Sequence, residues 1–272
     1  ILIVGSHVRW EAPLLNARLR QAVKAGAKVF LVGPHWETTF PCEFLGDDAE
    51  VLGKLPGHVG EAFAKAAKPA IIVGGGGIGA GALDAALGLA AEWNLVREGW
   101  NGFNVLHFSA ARMGALMLGF AQKGGIADLA AAKPKLLLAL GADEVDFGAF
   151  EGALKVYIGH HGDKGAHAAD IVLPGAAYTE KSGTYVNTEG RVQFADKAVF
   201  APGDAREDWT ILRALADALG VKVGFDSYGE LQAAMIAEVP ALGEEGLADY
   251  GRKLPKGGGK ASGQIRYPIK DF

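Results

Sequence analysis

The sequence predicts an α/β fold built on a doubly wound, mostly parallel sheet of Rossmann-like units, followed by a C-terminal hairpin and helices. Short apolar runs that mostly end in glycine recur along the chain, and they are nearly continuous rather than alternating. Such runs are typical of strands that are covered on both faces. Helical spacing of apolar residues separates many of the runs, and the alternation of strand and helix favours a parallel sheet.

Seven runs are predicted as strands. They cover residues 1–5, 28–33, 70–77, 105–108, 135–141, 155–159 and 170–175. Between the first two strands, Pro13 suits the first turn of a helix and Gly26 suits the position just past its end. Two more helices are predicted near residues 80–92 and 111–122.

The pattern changes after residue 175. The stretch "SGTYVNTEGRVQF" predicts a hairpin in which Gly183 and Gly190 can adopt positive φ. An amphipathic helix is predicted within residues 203–220, with Asp204 as its N-cap and Glu207 as the capping-box partner.

Four segments follow from this pattern. They are a Rossmann-like unit at 1–65 that completes a sheet begun upstream, a second such unit at 66–165, a hairpin with amphipathic helices at 166–250, and a flexible basic linker with a C-terminal tail at 251–272. The chain starts at Ile1, inside an apolar run, and not at a methionine. We therefore expect it to be a piece of a longer protein.

Composition excludes several functions. The net charge is −4, with no basic face predicted, so we expect no nucleic-acid partner. The longest apolar runs are of strand length, so we expect no direct membrane insertion. Cys42 is the single cysteine, whereas an iron–sulfur cluster normally needs about four. We therefore expect no such cluster on this chain, and Cys42 is predicted to be an inert thiol.

Gly74, Gly76 and Gly79 form a G-x-G-x-x-G pattern after a predicted strand and before a predicted helix. Such a turn can present backbone N–H groups to a phosphate. The next predicted strand is followed by Ser109 and Ala110 instead of the acid that would hold a ribose. Three interpretations stay open: a nicotinamide site, a site for another phosphate-bearing cofactor, and a tight turn without a ligand. The third is favoured.

His160, His161, Asp163, His167 and Asp170 fall within one short stretch. Imidazole and carboxylate groups suit several divalent metals, so a metal site is one interpretation. No metal-specific spacing is present, so the favoured interpretation is a polar loop at the carboxyl end of a strand.

Glu180, Lys181 and Glu189 could act as catalytic acids or bases. Charged residues around a hairpin more often fix its register through ion pairs and hydrogen bonds to turn amides. Asn187 suits a turn for the same reason. The structural interpretation is therefore favoured.

Residues 169–193 resemble a segment of the molybdopterin oxidoreductase superfamily. The matching positions are Ala169, Asp170, Leu173, Pro174, Glu180, Gly183, Thr184, Asn187, Glu189, Gly190 and Arg191. Residues 9–20, 208–220 and 267–272 narrow the resemblance to the family of large peripheral-arm subunits of NADH–quinone oxidoreductase, respiratory complex I. It covers essentially the whole chain.

The resemblance implies a fold of the molybdopterin-oxidoreductase type with a scaffold role in electron transfer from NADH to quinone. It implies no catalytic residue, no metal and no cofactor here, with Gly74, Gly76 and Gly79 as a relic cofactor site. Iron–sulfur clusters would sit on other parts of the longer subunit. The implied partners are other peripheral-arm subunits of complex I, on the cytoplasmic side of the bacterial inner membrane.

One alternative is the cofactor-binding domain of a molybdopterin-dependent oxidoreductase similar to formate dehydrogenase. The loops at 5–9, 33–35, 74–79 and 160–167 would then line the cofactor. Against it, the loop at 33–35 lacks the acid that the superfamily uses to bind the nucleotide. A free-standing nucleotide-binding module is the other alternative.

Overall fold

The computed structural model describes residues 1–75, 80–121 and 124–247. Contacts divide the chain into two compact units, and the boundary between them lies after Ala110. The strands described in the first unit are β1 (Leu2–Val4), β2 (Phe30–Val32), β3 (Glu43–Gly46), β4 (Ile71–Val73), β5 (Val96–Arg97), β6 (Trp100–Asn101) and β7 (Phe103–Val105). Its helices are α1 (Val8–Glu11), α2 (Pro13–Lys24), α3 (Gly57–Lys65) and α4 (Ala80–Glu92), with a 3-10 helix at Ala49–Gly53.

Five strands of the first unit form one sheet in the order β3-β2-β1-β4-β7. Every pairing in it is parallel, and Leu2 of β1 lies opposite Phe30 on one side and Ile71 on the other. The predicted fold class is therefore confirmed. The first three predicted strands are also confirmed. The fourth begins earlier than predicted, at Phe103.

Helices cover both faces of this sheet. Every side chain of β1, β2 and β4 is buried. Because successive side chains of a strand point to opposite faces, Leu2 shares a buried cluster with Phe63 of α3 and Ala86 of α4. Ile3 shares another cluster with Leu19 of α2. Burial of each large aliphatic side chain contributes about 1.5–3 kcal/mol, which explains the continuous apolar runs.

The helix predicted after β1 is confirmed as α2. Pro13 occupies its first turn, and Gly26 follows its C-cap with φ +97°. The helix predicted at 80–92 is confirmed as α4. Among the described residues, no helix has both the length and the apolar character required to cross a bilayer.

The backbones at the carboxyl ends of β1 and β4 approach closely. A Cβ atom on Gly74 would lie 1.8 Å from the carbonyl oxygen of Gly5. A Cβ on Gly75 would lie 1.9 Å from the carbonyl oxygen of Leu106, just after β7. Glycine at both positions therefore has a packing reason that requires no ligand.

The strands described in the second unit are β8 (Leu136–Leu140), β9 (Leu154–Gly159), β10 (Ile171–Pro174), β11 (Gly183–Val186), β12 (Arg191–Ala195) and β13 (Gly246–Leu247). Its helices are α5 (Arg112–Met117), α6 (Gly125–Ala131), α7 (Lys164–Ala168), α8 (Asp208–Ala218) and α9 (Tyr228–Glu238), with 3-10 helices at Phe147–Phe150 and Pro240–Leu242. The helix predicted at 111–122 is the shorter α5.

Two sheets organise this unit. One is parallel in the order β10-β9-β8, as the last three predicted strands require, and the other is antiparallel in the order β11-β12-β13. The predicted hairpin is confirmed as β11–β12, and Gly190 in its turn has φ +83°. Positive φ at Gly183 was a wrong prediction, since Gly183 lies in β11 opposite Ala195 and lacks positive φ.

The predicted start of α8 was also wrong. Glu207, and not Asp204, is the N-cap residue, and its side chain makes no capping bond. The backbone of Arg206 bonds to Pro174 and Ala176, so this stretch lies extended beside β10 and the helix begins later. A capping box exists instead at Ser227 and Glu230, at the start of α9.

The four-segment division of the chain stays a prediction. The five-stranded sheet includes strands from both sides of residue 65, and the unit boundary falls at residue 110. The predicted linker and C-terminal tail at 251–272 lie outside the described residues.

We predict that Gly74→Ala lowers the free energy of unfolding by on the order of 3–4 kcal/mol, since the added methyl would overlap Gly5. Gly88→Ala is the matched control, because Gly88 lies exposed in α4 with open space around it. The control should gain about 0.5–1 kcal/mol from helix propensity. Chemical denaturation measures the free energy of unfolding of both variants. Equal stabilities of Gly74→Ala and Gly88→Ala would contradict the close approach of Gly74 to Gly5.

Candidate functional site

The carboxyl end of β1 is the candidate site. From β1 the chain adds β2 and β3 on one side of the sheet and then β4 and β7 on the other, so the order of strand addition reverses between β1 and β4. Doubly wound folds bind ligands in the crevice beyond that point. The loop after β1 contains Gly5 with φ +60°, followed by Ser6 and His7, which are the two buried polar residues among those described. The short helix α1 then places Glu11 back over the loop.

Glu11 accepts hydrogen bonds from the loop with both carboxylate oxygens. The Ser6 hydroxyl donates to Oε2 at 2.7 Å, and the His7 backbone N–H donates to Oε1 at 2.9 Å. Burial raises the pKa of Glu11, although the bonds from His7 and Ser6 oppose that rise. An internal carboxylate thus satisfies two hydrogen-bond donors of this loop.

Two indoles enclose the imidazole of His7. The ring of Trp10 stacks on it at 3.8 Å between centroids and 13° between planes. Trp36, from the loop after β2, lies 4.2 Å away at 30°. Burial, and then the charge of Arg9, lower the pKa of His7, although a backbone hydrogen bond opposes them. The neutral imidazole is therefore the form that the folded protein favours.

The loop after β2 begins with Gly33-Pro34-His35, and these three residues include no acid. The His35 ring contacts Phe44 edge-on at 5.2 Å. Cys42 further along is half-buried, and burial raises its pKa to about 11, so the neutral thiol dominates at neutral pH.

The predicted glycine site is only partly described. Gly74 packs against Gly5 at the strand ends, while Gly76 and Gly79 lie outside the described residues. A role for these three glycines in cofactor binding stays a prediction.

In the second unit, Asp143 organises the loop that contains the clustered histidines. Its carboxylate accepts from the Tyr157 hydroxyl at 2.8 Å and from the Gly165 N–H at 2.9 Å. Burial, followed by the bond to Asp143, raises the pKa of Tyr157 to about 12. Sequence reasoning missed Asp143; its place just after a predicted strand was the available signal.

The clustered histidines and acids do not converge. The rings of His160 and His161 contact each other at 4.3 Å, and Asp163 is the N-cap of α7. Asp170 instead accepts from the Lys155 backbone N–H at 2.8 Å. Within the described part of the chain, no group of three His, Cys, Asp or Glu side chains could hold a metal ion.

Charged groups at the hairpin have structural partners. Glu180 accepts from the Ala177 N–H at 2.9 Å, and Lys181 forms an ion pair with Asp208 at the start of α8. Glu189 forms an exposed ion pair with Arg191 at 3.5 Å.

Asn187 fixes the turn of this hairpin. Its side-chain oxygen accepts from the N–H groups of Glu189 and Arg191 at 3.0 and 2.9 Å. The predicted turn role of Asn187 is confirmed.

A parallel sheet whose central strands are covered by helices, with glycine at the strand ends, places the chain in the doubly wound α/β class, which includes dinucleotide-binding folds. The family described as Molybdopterin oxidoreductase matches residues 1–218, and the chain belongs to this family.

The chain is also similar to subunits of respiratory NADH dehydrogenases. It is 45% identical over 251 residues to the mitochondrial NADH-ubiquinone oxidoreductase 78 kDa subunit of Neurospora crassa, covering 89% of this chain and 34% of that protein. It is 40% identical over 246 residues to an NADH-quinone oxidoreductase subunit of Rickettsia felis, covering 87% of this chain and 36% of that protein. It is 39% identical over 252 residues to the mitochondrial NADH dehydrogenase [ubiquinone] iron-sulfur protein 1 of Solanum tuberosum, covering 89% and 34%.

The resemblance predicted from the sequence is therefore confirmed. The chain spans about a third of the length of these relatives.

The described residues at this edge do not fit the pterin nucleotide that the family name implies. A bound nucleotide needs donors for its phosphates, yet Ser6 and His7 already donate to the carboxylate of Glu11. That carboxylate would also repel a phosphate in its ionised form. The backbone of Gly74 also lies so close to that of Gly5 that no side chain fits between the ends of β1 and β4.

We predict that Glu11→Ala lowers the free energy of unfolding by about 2–4 kcal/mol, because two donors lose their acceptor and each costs about 1–3 kcal/mol. Glu11→Gln keeps one side-chain acceptor oxygen and should lose less. Urea denaturation of both variants tests the difference, and wild-type stability of Glu11→Ala would contradict it.

His7 should make stability depend on pH. Its folded pKa lies below the ordinary 6.5, so the unfolded chain binds a proton first as the pH falls. The free energy of unfolding should therefore decrease between about pH 7 and pH 5. His7→Phe keeps an aromatic ring but does not titrate, and Glu11 still titrates in both proteins. The variant should show a smaller decrease, and identical pH profiles would refute the assignment.

Proposed function

We propose that this chain is the C-terminal part of the large peripheral-arm subunit of an NADH–quinone oxidoreductase and acts there as a non-catalytic scaffold. The observation that carries the proposal is the similarity to subunits of such enzymes over nearly nine-tenths of the chain, at 39% to 45% identity. On this proposal, the chain supports electron transfer from NADH to quinone without taking part in the chemistry.

The geometry of the candidate site supports a scaffold. A binding site keeps polar groups free to meet a ligand, but Ser6, the His7 backbone and Glu11 satisfy one another. The rings of Trp10 and Trp36 both contact the imidazole of His7 beside them. These contacts stabilise the loop after β1 in one conformation.

Electron carriers would lie elsewhere in the longer subunit. One relative is named an iron-sulfur protein, whereas this chain has Cys42 alone, with a pKa raised to about 11. A thiol of that kind is a poor ligand, and a cluster normally needs about four thiolates. Other peripheral-arm subunits of the complex are the proposed partners, on the cytoplasmic side of the bacterial inner membrane.

The match to the Molybdopterin oxidoreductase family favours one second candidate, a molybdopterin-dependent oxidoreductase similar to formate dehydrogenase. It requires a pterin nucleotide at the carboxyl ends of the sheet. The hydrogen bonds of Glu11 oppose this candidate.

The test is to tag the native full-length protein and purify it under mild conditions. We expect it to copurify with NADH–quinone oxidoreductase activity, with iron and without stoichiometric molybdenum. Gly74→Ala should reduce the amount of assembled complex, because the sheet is destabilised. The cluster signals per assembled complex, measured by electron paramagnetic resonance, should not change.

Gly88→Ala serves as the control and should assemble normally. Stoichiometric molybdenum or pterin in the purified protein would reject the scaffold and support the second candidate.

A further inference from the structure

A single Asn-Gly pair, Asn101-Gly102, occurs in the 272 residues. It lies where two strands meet, because β6 ends at Asn101 and β7 begins at Phe103. Asparagine loses its side-chain amide most readily before glycine, since glycine has no side chain to hinder attack by its own backbone nitrogen. Asn101 is exposed to solvent. The pair is therefore a candidate site of spontaneous covalent modification.

The reaction at this pair is a substitution at the side-chain amide. The backbone nitrogen of Gly102 gives up its proton and attacks Cγ of Asn101. A bond forms between this nitrogen and Cγ, the bond between Cγ and Nδ2 breaks, and Nδ2 leaves with the proton as ammonia. Water then opens the resulting succinimide ring at one of its two carbonyl carbons, which gives aspartate or isoaspartate. Water is the sole co-reactant, and nothing is oxidised or reduced.

The fold holds the nucleophile of this reaction in hydrogen bonds. The Gly102 N–H donates to the carbonyl oxygen of Leu95 at 2.8 Å, and the carbonyl oxygen of Gly102 accepts from the Ile71 N–H at 2.7 Å. The backbone is also closely packed, because a Cβ atom on Gly102 would lie 2.2 Å from the carbonyl oxygen of Pro69. The nitrogen can attack only after it has given up its bond to Leu95.

The electrophile, by contrast, is already in place. Oδ1 of Asn101 accepts from the Phe103 N–H at 3.2 Å, so the side-chain amide is folded back along the backbone beside Gly102. This hydrogen bond also draws electron density away from Cγ. Release of the Gly102 nitrogen is therefore the step that the fold controls.

Two side chains tie the β5–β6 hairpin to the segment that precedes β4. The Trp100 indole N–H donates to the carbonyl oxygen of Pro69 at 2.8 Å, and the Arg97 guanidinium donates to that of Ala67 at 2.8 Å. The hairpin itself has only two residues in each strand. Because an isolated hairpin is marginally stable, these ties limit how often it opens.

We propose that Asn101 is a deamidation site that the folded β5–β6 hairpin keeps unreactive, so that its conversion identifies molecules in which this hairpin has opened. Isoaspartate adds a methylene group to the main chain between residues 101 and 102. Gly102 then cannot keep its bonds to both Leu95 and Ile71 in the original register, so a converted hairpin does not return to its place. This inference is independent of the proposed function.

The experiment compares the full-length protein in native buffer and in guanidinium chloride, at the same pH and temperature. Mass spectrometry of the peptide that contains residue 101 measures the fractions of aspartate and isoaspartate over time. We expect conversion in the denatured protein and a rate at least about tenfold lower in the native protein. Asn104 in β7 is the internal control, because it is also exposed but precedes Val105, whose branched side chain hinders the same attack. Equal rates at Asn101 in the two conditions, or no conversion in denaturant, would overturn the inference.

Trp100→Phe tests the link to the hairpin. It removes the donor to Pro69 but neither reacting residue, so the native rate at Asn101 should rise about two- to tenfold. Trp209→Phe is the matched control, because it removes an indole hydrogen bond to Glu207 in the second unit and should leave the rate unchanged.

Both variants should convert at the wild-type rate in guanidinium chloride, which shows that the chemistry itself is unaltered. Arg97→Met removes the donor to Ala67 at an exposed position and provides the same measurement if Trp100→Phe does not fold. A native rate that does not change in the hairpin variants would overturn the inference.

Discussion

Burial of β1 on both faces and along both edges is the constraint on which the first unit depends. Its residues pair with β2 and β4 and pack between α2 on one side and α3 with α4 on the other. A strand in this position can carry only apolar side chains, and its neighbours must approach it closely. The contact between Gly5 and Gly74 at the strand ends follows from the same requirement.

The loop after β1 lies at the carboxyl edge of the sheet, where related folds bind ligands. The loop after β1 leaves a backbone N–H and a hydroxyl that need acceptors, and Glu11 provides one for each. A pterin or dinucleotide fold would meet the same need with a phosphate from its cofactor. In this chain the carboxylate of Glu11 meets it.

Strands and helices were predicted correctly where the residues that they bury form a short pattern in the sequence. The apolar strands, α2 with Pro13 at its start, and α4 all followed from such patterns. The helix α3 did not, because "GHVGEAFAK" contains two glycines and has no side-chain cap. Its stability comes from Val59 and Phe63, which pack in the cluster beneath the sheet. Propensity alone cannot report that contribution.

The sequence by itself determined the parallel α/β class, the positions of most strands in the two parallel sheets, the hairpin turn at Asn187 and the family resemblance. Each of these depends on residues that are close along the chain. Only the tertiary structure decided the partners of Glu11 and Asp143, the start of α8, and which side of the β8–β9–β10 sheet packs on Phe147. Those features depend on groups from separate segments. Their hydrogen bonds and burial exist only after the chain has folded.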